Sequence, residues 1–376
     1  MVRFPSDYDD IERILTPDGT ADAETVAALD LSAEDLRRIY ESMVTARVLN
    51  DRGLRLQRRG DLHFWEECRG EEATHVGAAA ALRDIDWMQT AWRQYGAHIH
   101  RGRSLRDILL FWLRGYEEWD ADAWDRPEGP PPDQRRLPKI VAVGTQVPQA
   151  IGHMWGRKYL GTDEAGLVTI GEGATSKGDF HEGLNFAGVM DVPIVILVIN
   201  NQYAISQPVE RQTRSETFAQ KAQAYGFDGV LVDGNDPLAM YRTTRDALEK
   251  ARTEQEPTLV EGLTYRLGAH STSDDPSLYR DEEEVERWEE LDPLPRFRTF
   301  LEDEGVLTAD EAETVREQAE TAVREAANEA IAIAEEQSPD EVFDRVYANP
   351  PAELERQWAE FRDFYDRHGE TAFRGW

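Results

Sequence analysis

Apolar and polar positions along the middle of the chain follow the periods of strands and helices in turn. Four short apolar runs, each bounded by polar residues, glycine or proline, predict strands. They occupy residues 166–170, 194–199, 229–232 and 257–265. Segments with the helical spacing of apolar residues precede or separate them, at residues 147–160, 179–190, 215–225 and 237–253. This alternation predicts an α/β fold with a doubly wound parallel sheet.

Helical patterns also flank this region and give the fold helical N- and C-terminal extensions. Ser32 is a candidate N-cap for a helix that ends near Gly60. Further helices are predicted from Glu71 through Ala81, from Leu105 to Leu113 and over 309–336. The apolar stripe of the last helix comprises Val315, Ala319, Val323, Ala326 and Ile331. We expect a loosely held leader at 1–30, an α/β domain at 31–300 and a helical region at 301–376.

The charge composition indicates the environment in which the protein works and limits the classes of partner that it can bind. The chain has 74 acidic residues against 37 arginines and five lysines, a net charge of −32. Such a surface suits a protein that works in concentrated salt, because the salt screens the repulsion between its carboxylates. The alternative interpretation is an ordinary acidic protein. We expect no nucleic acid partner, because the negative electrostatic field of such a protein repels phosphate groups. No apolar run is long enough to cross a membrane, and the single cysteine, Cys68, fits a reducing cytoplasm.

Polar residues end two of the predicted strands. Gly171-Glu172-Gly173 follows the first strand, and Asn200-Asn201 follows the second, with one helix between them. A right-handed crossover brings both strand ends to the same sheet edge, where α/β proteins bind ligands. A carboxylate and an amide oxygen there suit Mg²⁺, which usually retains ligand positions for substrate phosphates. The pattern therefore indicates a magnesium-bound diphosphate, while an isolated glutamate at a strand end is otherwise a solvated or capping residue.

Several longer motifs then resemble one family. The run from Gly171 to Asn201 is similar to the thiamine-diphosphate-binding motif, Gly-Asp/Glu-Gly followed after just under thirty residues by Asn-Asn. Other matching motifs are Arg69-Gly-Glu-Glu-Ala-Thr-His75, Trp92-Arg-Gln-Tyr-Gly96, Thr145-Gln-Val-Pro-Gln149, Val232-Asp-Gly-Asn-Asp236 and Arg266-Leu-Gly-Ala-His-Ser-Thr-Ser-Asp-Asp-Pro276. Together they resemble the alpha subunit of the decarboxylating component of 2-oxo acid dehydrogenase complexes. The resemblance implies the thiamine-diphosphate-binding fold.

The resemblance also implies a set of site residues. Mg²⁺ would be held by Glu172, by the amide oxygen of Asn201 and by the backbone carbonyl of Tyr203. His270 is the candidate catalytic residue and also a cofactor contact. The remaining cofactor-binding positions are Trp92, Arg93, Val143, Gly171, Gly173, Ala174 and Ile205. Trp92 stands where relatives often carry tyrosine, so we expect a different pocket wall.

Alternative roles stay open for several of these residues. Arg93 is either a diphosphate ligand or part of a surface ion pair, and Val143 is either a cofactor support or a core valine. His181 is expected to pack or cap rather than react. Ser271 and Ser273 lie where some relatives are phosphorylated, although plain loop serines are the simpler interpretation.

By resemblance, the chain is an oxidoreductase that decarboxylates a 2-oxo acid and transfers the acyl group to a lipoyl group. Its expected partners are a beta subunit, in an assembly of two alpha and two beta chains, and a lipoyl-bearing acyltransferase component. The motifs leave open whether the substrate is pyruvate or a branched-chain 2-oxo acid. Loops 116–138 and 266–280 are candidate walls of the acyl-transfer channel.

A non-catalytic cofactor-binding paralogue and an acetoin dehydrogenase alpha subunit are the alternatives that remain. A nicotinamide dehydrogenase would need Gly-x-Gly-x-x-Gly. Gly171, Gly173 and Gly178 do not have that spacing.

Overall fold

A parallel sheet lies at the centre of the computed structural model, which describes residues 3–114, 129–140, 142–336 and 347–369 together with residues 338, 340 and 343. Its strands are β1 (Trp87–Gln89), β2 (Gly166–Gly171), β3 (Ile194–Asn200), β6 (Asp228–Asp233) and β7 (Thr258–Leu263). They are parallel throughout, in the order β1-β2-β3-β7-β6. A small antiparallel hairpin pairs β4 (Tyr203–Ala204) with β5 (Gln207–Pro208).

Helices surround this sheet and extend the chain beyond it. Before and between the strands lie α1 (Ala23–Ala27), α2 (Ala33–Arg59), α3 (Glu72–Ala80), α4 (Tyr95–His100), α5 (Leu105–Arg114), α6 (Gln146–Tyr159), α7 (Gly178–Val189) and α8 (Pro237–Thr253). After the sheet come α9 (Glu282–Glu289), α10 (Pro293–Asp303), α11 (Ala309–Glu335) and α12 (Ala352–His368). Helices cover both faces of the sheet, which confirms the predicted α/β class.

The central strand β3 shows why the sheet is buried on both sides. Its run of isoleucine, valine and leucine is buried along its whole length, as expected for a parallel strand covered by helices on two faces. Val195, Leu197 and Ile199 pack into the core on the α2, α3 and α8 side. Ile194, Ile196 and Val198 pack into the core formed with α6 and α7. The period of two along one strand thus divides the apolar residues between two cores.

Local sequence signals set the ends of the long helices. Ser32 caps α2 and forms a capping box with Asp35, and Gly60 ends the helix with φ +86°, as predicted. In α11 the buried stripe begins at Ala312 and includes the predicted Val315, Ala319 and Val323. It then continues through Ala327 and Ala330, whereas the predicted Ala326 and Ile331 are only partly buried.

The N-terminal segment is held more firmly than we expected. Leu15 and Leu29 are completely or almost completely buried in the main core. The Asp236 carboxylate accepts hydrogen bonds from the backbone N–H groups of Ile14 at 2.7 Å and Leu15 at 2.6 Å. Glu12 also forms a parallel bridge with Val232 on β6. The expectation of a loosely held leader is therefore wrong for residues 3–30, while the division into three domains stays a prediction.

Two further local predictions need correction. The helix expected at 215–225 is a 3-10 segment, Ala219–Tyr225, although it ends at Gly226 with positive φ. The short edge strand β1 was not assigned from the sequence. Within the described part of the chain, no helix is both long and apolar enough to cross a membrane.

Candidate active site

A cavity of about 310 Å³ opens at the carboxyl edge of the sheet. The parallel register places Gly171 opposite Ile199, so the residues that follow β2 and β3 lie side by side. All of the predicted site residues line this cavity. They are Trp92, Arg93, Val143, Gly171, Glu172, Gly173, Ala174, Asn201, Tyr203, Ile205 and His270. The fold therefore brings residues from five separate segments of the chain together at one position.

Glu172 begins a 3-10 turn, Glu172–Ser176, directly after β2. It is only 2% exposed, which rules out the alternative of a solvated strand-end residue. Oε1 accepts a hydrogen bond from the neutral amide of Gln212 at 3.2 Å. Burial raises the pKa of this carboxyl group, because desolvation disfavours the charged form. A cation beside Glu172 would stabilise its ionised form.

Asn201 and Tyr203 lie on the neighbouring strand end. The Nδ2 group of Asn201 donates to Oε1 of Glu71 at 2.9 Å, and its Oδ1 accepts from the backbone N–H of Tyr203 at 3.3 Å. The carbonyl oxygen of Tyr203 accepts from Nη1 of Arg266 at 3.1 Å. A carbonyl oxygen has two lone pairs, so this bond leaves one acceptor position.

Arg93 and His270 form a pair at the side of the cavity. Nη2 of Arg93 contacts Nδ1 of His270 at 3.0 Å, and Nη1 donates to the His270 carbonyl oxygen at 3.2 Å and to the Glu67 carbonyl oxygen. Arg93 is 7% exposed, so the alternative of a surface ion pair is wrong. Burial, with the charges of Arg93 and Arg266, lowers the pKa of His270 to about 3. The imidazole is therefore neutral around neutral pH.

Small residues bring the two strand ends together. A Cβ atom on Gly173 would lie 2.4 Å from the Cβ of Ala204, a contact too short for any larger residue. A Cβ on Gly171 would meet nothing within 4 Å, so the space beside it is open. Ala174, on the same turn, is buried. The glycines thus keep one side of the cavity free while the loops pack tightly on the other.

Strained and apolar residues complete the lining. Ile205 has φ +57°, a conformation that is unfavourable for a β-branched residue, and it is 55% exposed. Val143 is 52% exposed, which makes the core-valine alternative wrong. Trp92 lies close to Phe111 and Trp112, with ring centroids 6.3 and 6.2 Å away. Together these side chains form an apolar wall.

The remaining candidates lie beside the site or outside it. His181 packs against Tyr225, with Nδ1 2.5 Å from the hydroxyl oxygen, as expected for a non-catalytic residue. In loop 266–280, Ser271 is buried and Ser273 is exposed. Residues 116–128 of the other predicted channel loop lie outside the described residues.

The donor set fits magnesium diphosphate chemistry. Glu172 offers a buried carboxylate, Asn201 an amide oxygen and Tyr203 a carbonyl oxygen, all of which are hard ligands suited to Mg²⁺. Within the described ranges, no group of three or more His, Cys, Asp or Glu side chains is placed to hold a metal ion. The predicted magnesium site differs from such a cluster, because only one of its three protein ligands is a carboxylate and the other two are an amide oxygen and a backbone carbonyl oxygen. Arg93 and the open space beside Gly171 suit the phosphate groups.

Sequence reasoning missed other residues of the cavity. They are Glu66, Glu71, Ala91, Gln94, Gln146, Ile199, Ala204 and Arg266. Glu71, Gln94, Gln146 and Arg266 each lie within a motif that carried the family resemblance, so the motifs were the available signal. Burial raises the pKa of Glu71, but the neighbouring His75, the charge of Arg93 and the hydrogen bond from Asn201 outweigh it, so the pKa is lowered overall.

The fold and the cavity together define an α/β protein with a cavity at the carboxyl edge of its parallel sheet, where proteins of this class bind ligands. The profile of the family described as "Dehydrogenase E1 component" matches residues 40–339. The chain belongs to this family. Its assignment to the alpha subunits of 2-oxo acid dehydrogenase E1 components, made from the sequence motifs, is confirmed.

Named relatives cover most of the chain. It is 42% identical over 350 residues to the 3-methyl-2-oxobutanoate dehydrogenase subunit alpha of Mycobacterium tuberculosis (strain ATCC 25618 / H37Rv), covering 93% of each chain. It is 38% identical over 330 residues to the pyruvate dehydrogenase E1 component subunit alpha of Bacillus subtilis (strain 168), covering 88% of this chain and 86% of that one. A similar subunit of Acholeplasma laidlawii is 35% identical over 89% of this chain and 95% of its own. Family membership implies thiamine diphosphate as cofactor and a beta subunit and an acyltransferase as partners.

Proposed function

We propose that this chain, assembled as two alpha and two beta subunits, carries out the oxidative decarboxylation of a 2-oxo acid and transfers the acyl group to a lipoyl group. One observation carries the proposal: every predicted site residue, from five separate segments of the chain, lines the same cavity. A branched-chain 2-oxo acid is our first choice of substrate, because the relative named for 3-methyl-2-oxobutanoate is 42% identical. Pyruvate is the second, since the relatives named for it are 35% and 38% identical.

In this proposal Mg²⁺ is held by Glu172, by Oδ1 of Asn201 and by the carbonyl oxygen of Tyr203. When bound, thiamine diphosphate supplies the electron sink that decarboxylation requires. The guanidinium group of Arg93 donates hydrogen bonds to the diphosphate, for which its planar fork is well suited. Trp92, Val143 and Ile205 contribute apolar surface that excludes water.

His270 contributes a hydrogen-bond donor to this site. Arg93 donates to Nδ1, so the proton of the neutral ring lies on Nε2. Nε2–H is then available to a phosphate oxygen or to an oxygen that gains negative charge during the reaction.

We place the assembly in the cytoplasm, since the one cysteine, Cys68, is a free and buried thiol.

The test is coexpression with the beta chain in high salt, followed by decarboxylation assays with 3-methyl-2-oxobutanoate, pyruvate and 2-oxoglutarate. Turnover that is fastest with the branched-chain acid supports the proposal in full, and turnover fastest with pyruvate replaces the first substrate with the second. Cleavage of acetoin without decarboxylation would assign the chain to acetoin dehydrogenases. Cofactor binding without any turnover would favour a non-catalytic paralogue.

A further inference from the structure

Glu71 directly precedes α3 and is one of the residues that line the cavity. Its side chain is completely buried. Oε1 accepts from Nδ2 of Asn201 at 2.9 Å and lies 4.0 Å from Nε of Arg93. Oε2 lies 3.4 Å from Nε2 of His75. One carboxylate therefore contacts a predicted metal ligand and lies close to the predicted diphosphate ligand.

This contact determines which way the amide of Asn201 faces. An asparagine amide has a donating NH₂ group and an accepting oxygen, whereas an ionised carboxylate only accepts. Glu71 therefore selects the NH₂ group, and the amide oxygen must face the other way. There Oδ1 accepts the Tyr203 backbone N–H at 3.3 Å, beside the carbonyl group proposed as a further metal ligand. Rotation of the amide would place NH₂ hydrogens against the cation.

We propose that Glu71 is the positioning residue of the cation site, holding the Asn201 amide with its oxygen towards Mg²⁺ and keeping the Arg93 guanidinium beside the diphosphate. This inference rests on the proposed function, because it takes Asn201 as a metal ligand. Residues that orient a metal ligand through a hydrogen bond typically change metal affinity by about 10- to 100-fold when they are removed.

The chain contains a matched control one residue away. Asn200 donates from Nδ2 to Oε1 of Glu261 at 2.7 Å, and Oε2 of Glu261 accepts from the backbone N–H of Ala219 at 2.9 Å. Glu261 is 1% exposed and Asn200 is 1% exposed. This pair has the same chemistry and burial as Glu71 and Asn201, but neither residue is among those that line the cavity.

The experiment is a Mg²⁺ titration of the alpha–beta complex at fixed thiamine diphosphate, with cofactor binding as the signal. Glu71→Met should weaken apparent Mg²⁺ affinity by about 10- to 100-fold. Glu71→Gln keeps an oxygen that accepts from Asn201, so its loss should be smaller. Glu261→Met should leave the affinity close to that of the wild type, even if its unfolding midpoint falls as far as that of Glu71→Met.

An exchange of the two groups tests the orientation directly. Asn201→Asp alone places two carboxylates against each other and should bind Mg²⁺ poorly. Combined with Glu71→Gln, it restores an amide–carboxylate pair in reverse order, so the double variant should bind more tightly than Asn201→Asp. A purely structural role predicts no such recovery. If Glu71→Met does not fold, the Gln variant and the exchange still decide the question.

The outcomes separate this inference from the proposed function. Wild-type affinity in both Glu71 variants, with binding abolished in Glu172→Ala, would overturn the positioning role and leave the cofactor site intact. An equal loss in Glu71→Met and Glu261→Met would also overturn it. Absence of cofactor binding in the wild-type complex would instead overturn the proposed function.

Discussion

Arg93 contacts Nδ1 of His270 through Nη2 across 3.0 Å, although the two residues are 177 positions apart in the chain. The contact joins the segment after β1 to the loop after β7, so it forms only when the sheet is complete. Burial disfavours a charged imidazole, and the guanidinium group, which is always charged, adds to this effect. His270 is consequently held as a neutral donor rather than an imidazolium.

This arrangement predicts a specific pH dependence of stability. The pKa of His270 falls from 6.5 to about 3 on folding, so between these values the unfolded chain binds a proton that the folded chain does not. Stability should therefore fall as the pH decreases through that window. His270→Gln removes this contribution, and its free energy of unfolding, measured by denaturant titration across the window, should decrease less steeply. If the free energy of unfolding falls equally steeply with decreasing pH in the wild type and in His270→Gln, the proposed role of His270 in this pH dependence is contradicted.

The two glycines beside Glu172 should respond differently to alanine. Gly173→Ala forces a Cβ to within 2.4 Å of Ala204, and we expect a loss of about 1–3 kcal/mol in the free energy of unfolding. Gly171→Ala meets no atom within 4 Å, so it should keep its stability but bind thiamine diphosphate more weakly. Thermal unfolding and calorimetry of the alpha–beta complex measure the two effects. Equal changes in stability and in cofactor affinity in the two variants would contradict the different roles assigned to Gly171 and Gly173.

Ile205 should show a trade-off between stability and binding. Its φ of +57° costs about 1–3 kcal/mol for a non-glycine residue, and asparagine tolerates this conformation better. Ile205→Asn should raise the free energy of unfolding by about 1 kcal/mol and weaken cofactor binding. Leu278→Asn is the control, because Leu278 is 82% exposed and has no positive φ. Destabilisation by Ile205→Asn would show that the strain is not released.

Salt should stabilise the protein. The chain carries a net charge of −32, and exposed carboxylates cover helices such as α9 and α11. Raising the ionic strength from about 0.1 M to about 1 M shortens the screening length from about 10 Å to about 3 Å, so the unfolding temperature should increase with KCl. A non-ionic solute at the same osmolality is the control. An unfolding temperature independent of KCl would favour an ordinary acidic protein.

The sequence predicted most of the sheet because its strands are long, apolar and bounded by clear turn residues. β3 is an example, since seven consecutive residues are buried. β1 has only three residues, Trp87–Gln89, too few to show a period. The N-terminal segment was misjudged because its anchoring residues, such as Leu15 and Leu29, are widely spaced among acidic ones. Their burial depends on distant residues that the local pattern does not contain.

Site residues at strand ends were predictable for a topological reason. Parallel strands joined by a helix bring their carboxyl ends together, so Glu172 and Asn201 had to be neighbours. Glu71 was missed because an acidic residue at the start of a helix usually has a capping role. Only the three-dimensional structure shows that it instead contacts Asn201, 130 positions away.

The most direct test of the account is calorimetry of thiamine diphosphate binding to the alpha–beta complex, with and without Mg²⁺. Wild-type protein should bind the cofactor only when Mg²⁺ is present, and Glu172→Ala should not bind it under either condition. Glu182→Ala, a change to an exposed glutamate on α7, should behave like the wild type. Undiminished, Mg²⁺-dependent binding by Glu172→Ala would contradict the central claim that this carboxylate holds the cofactor's metal ion.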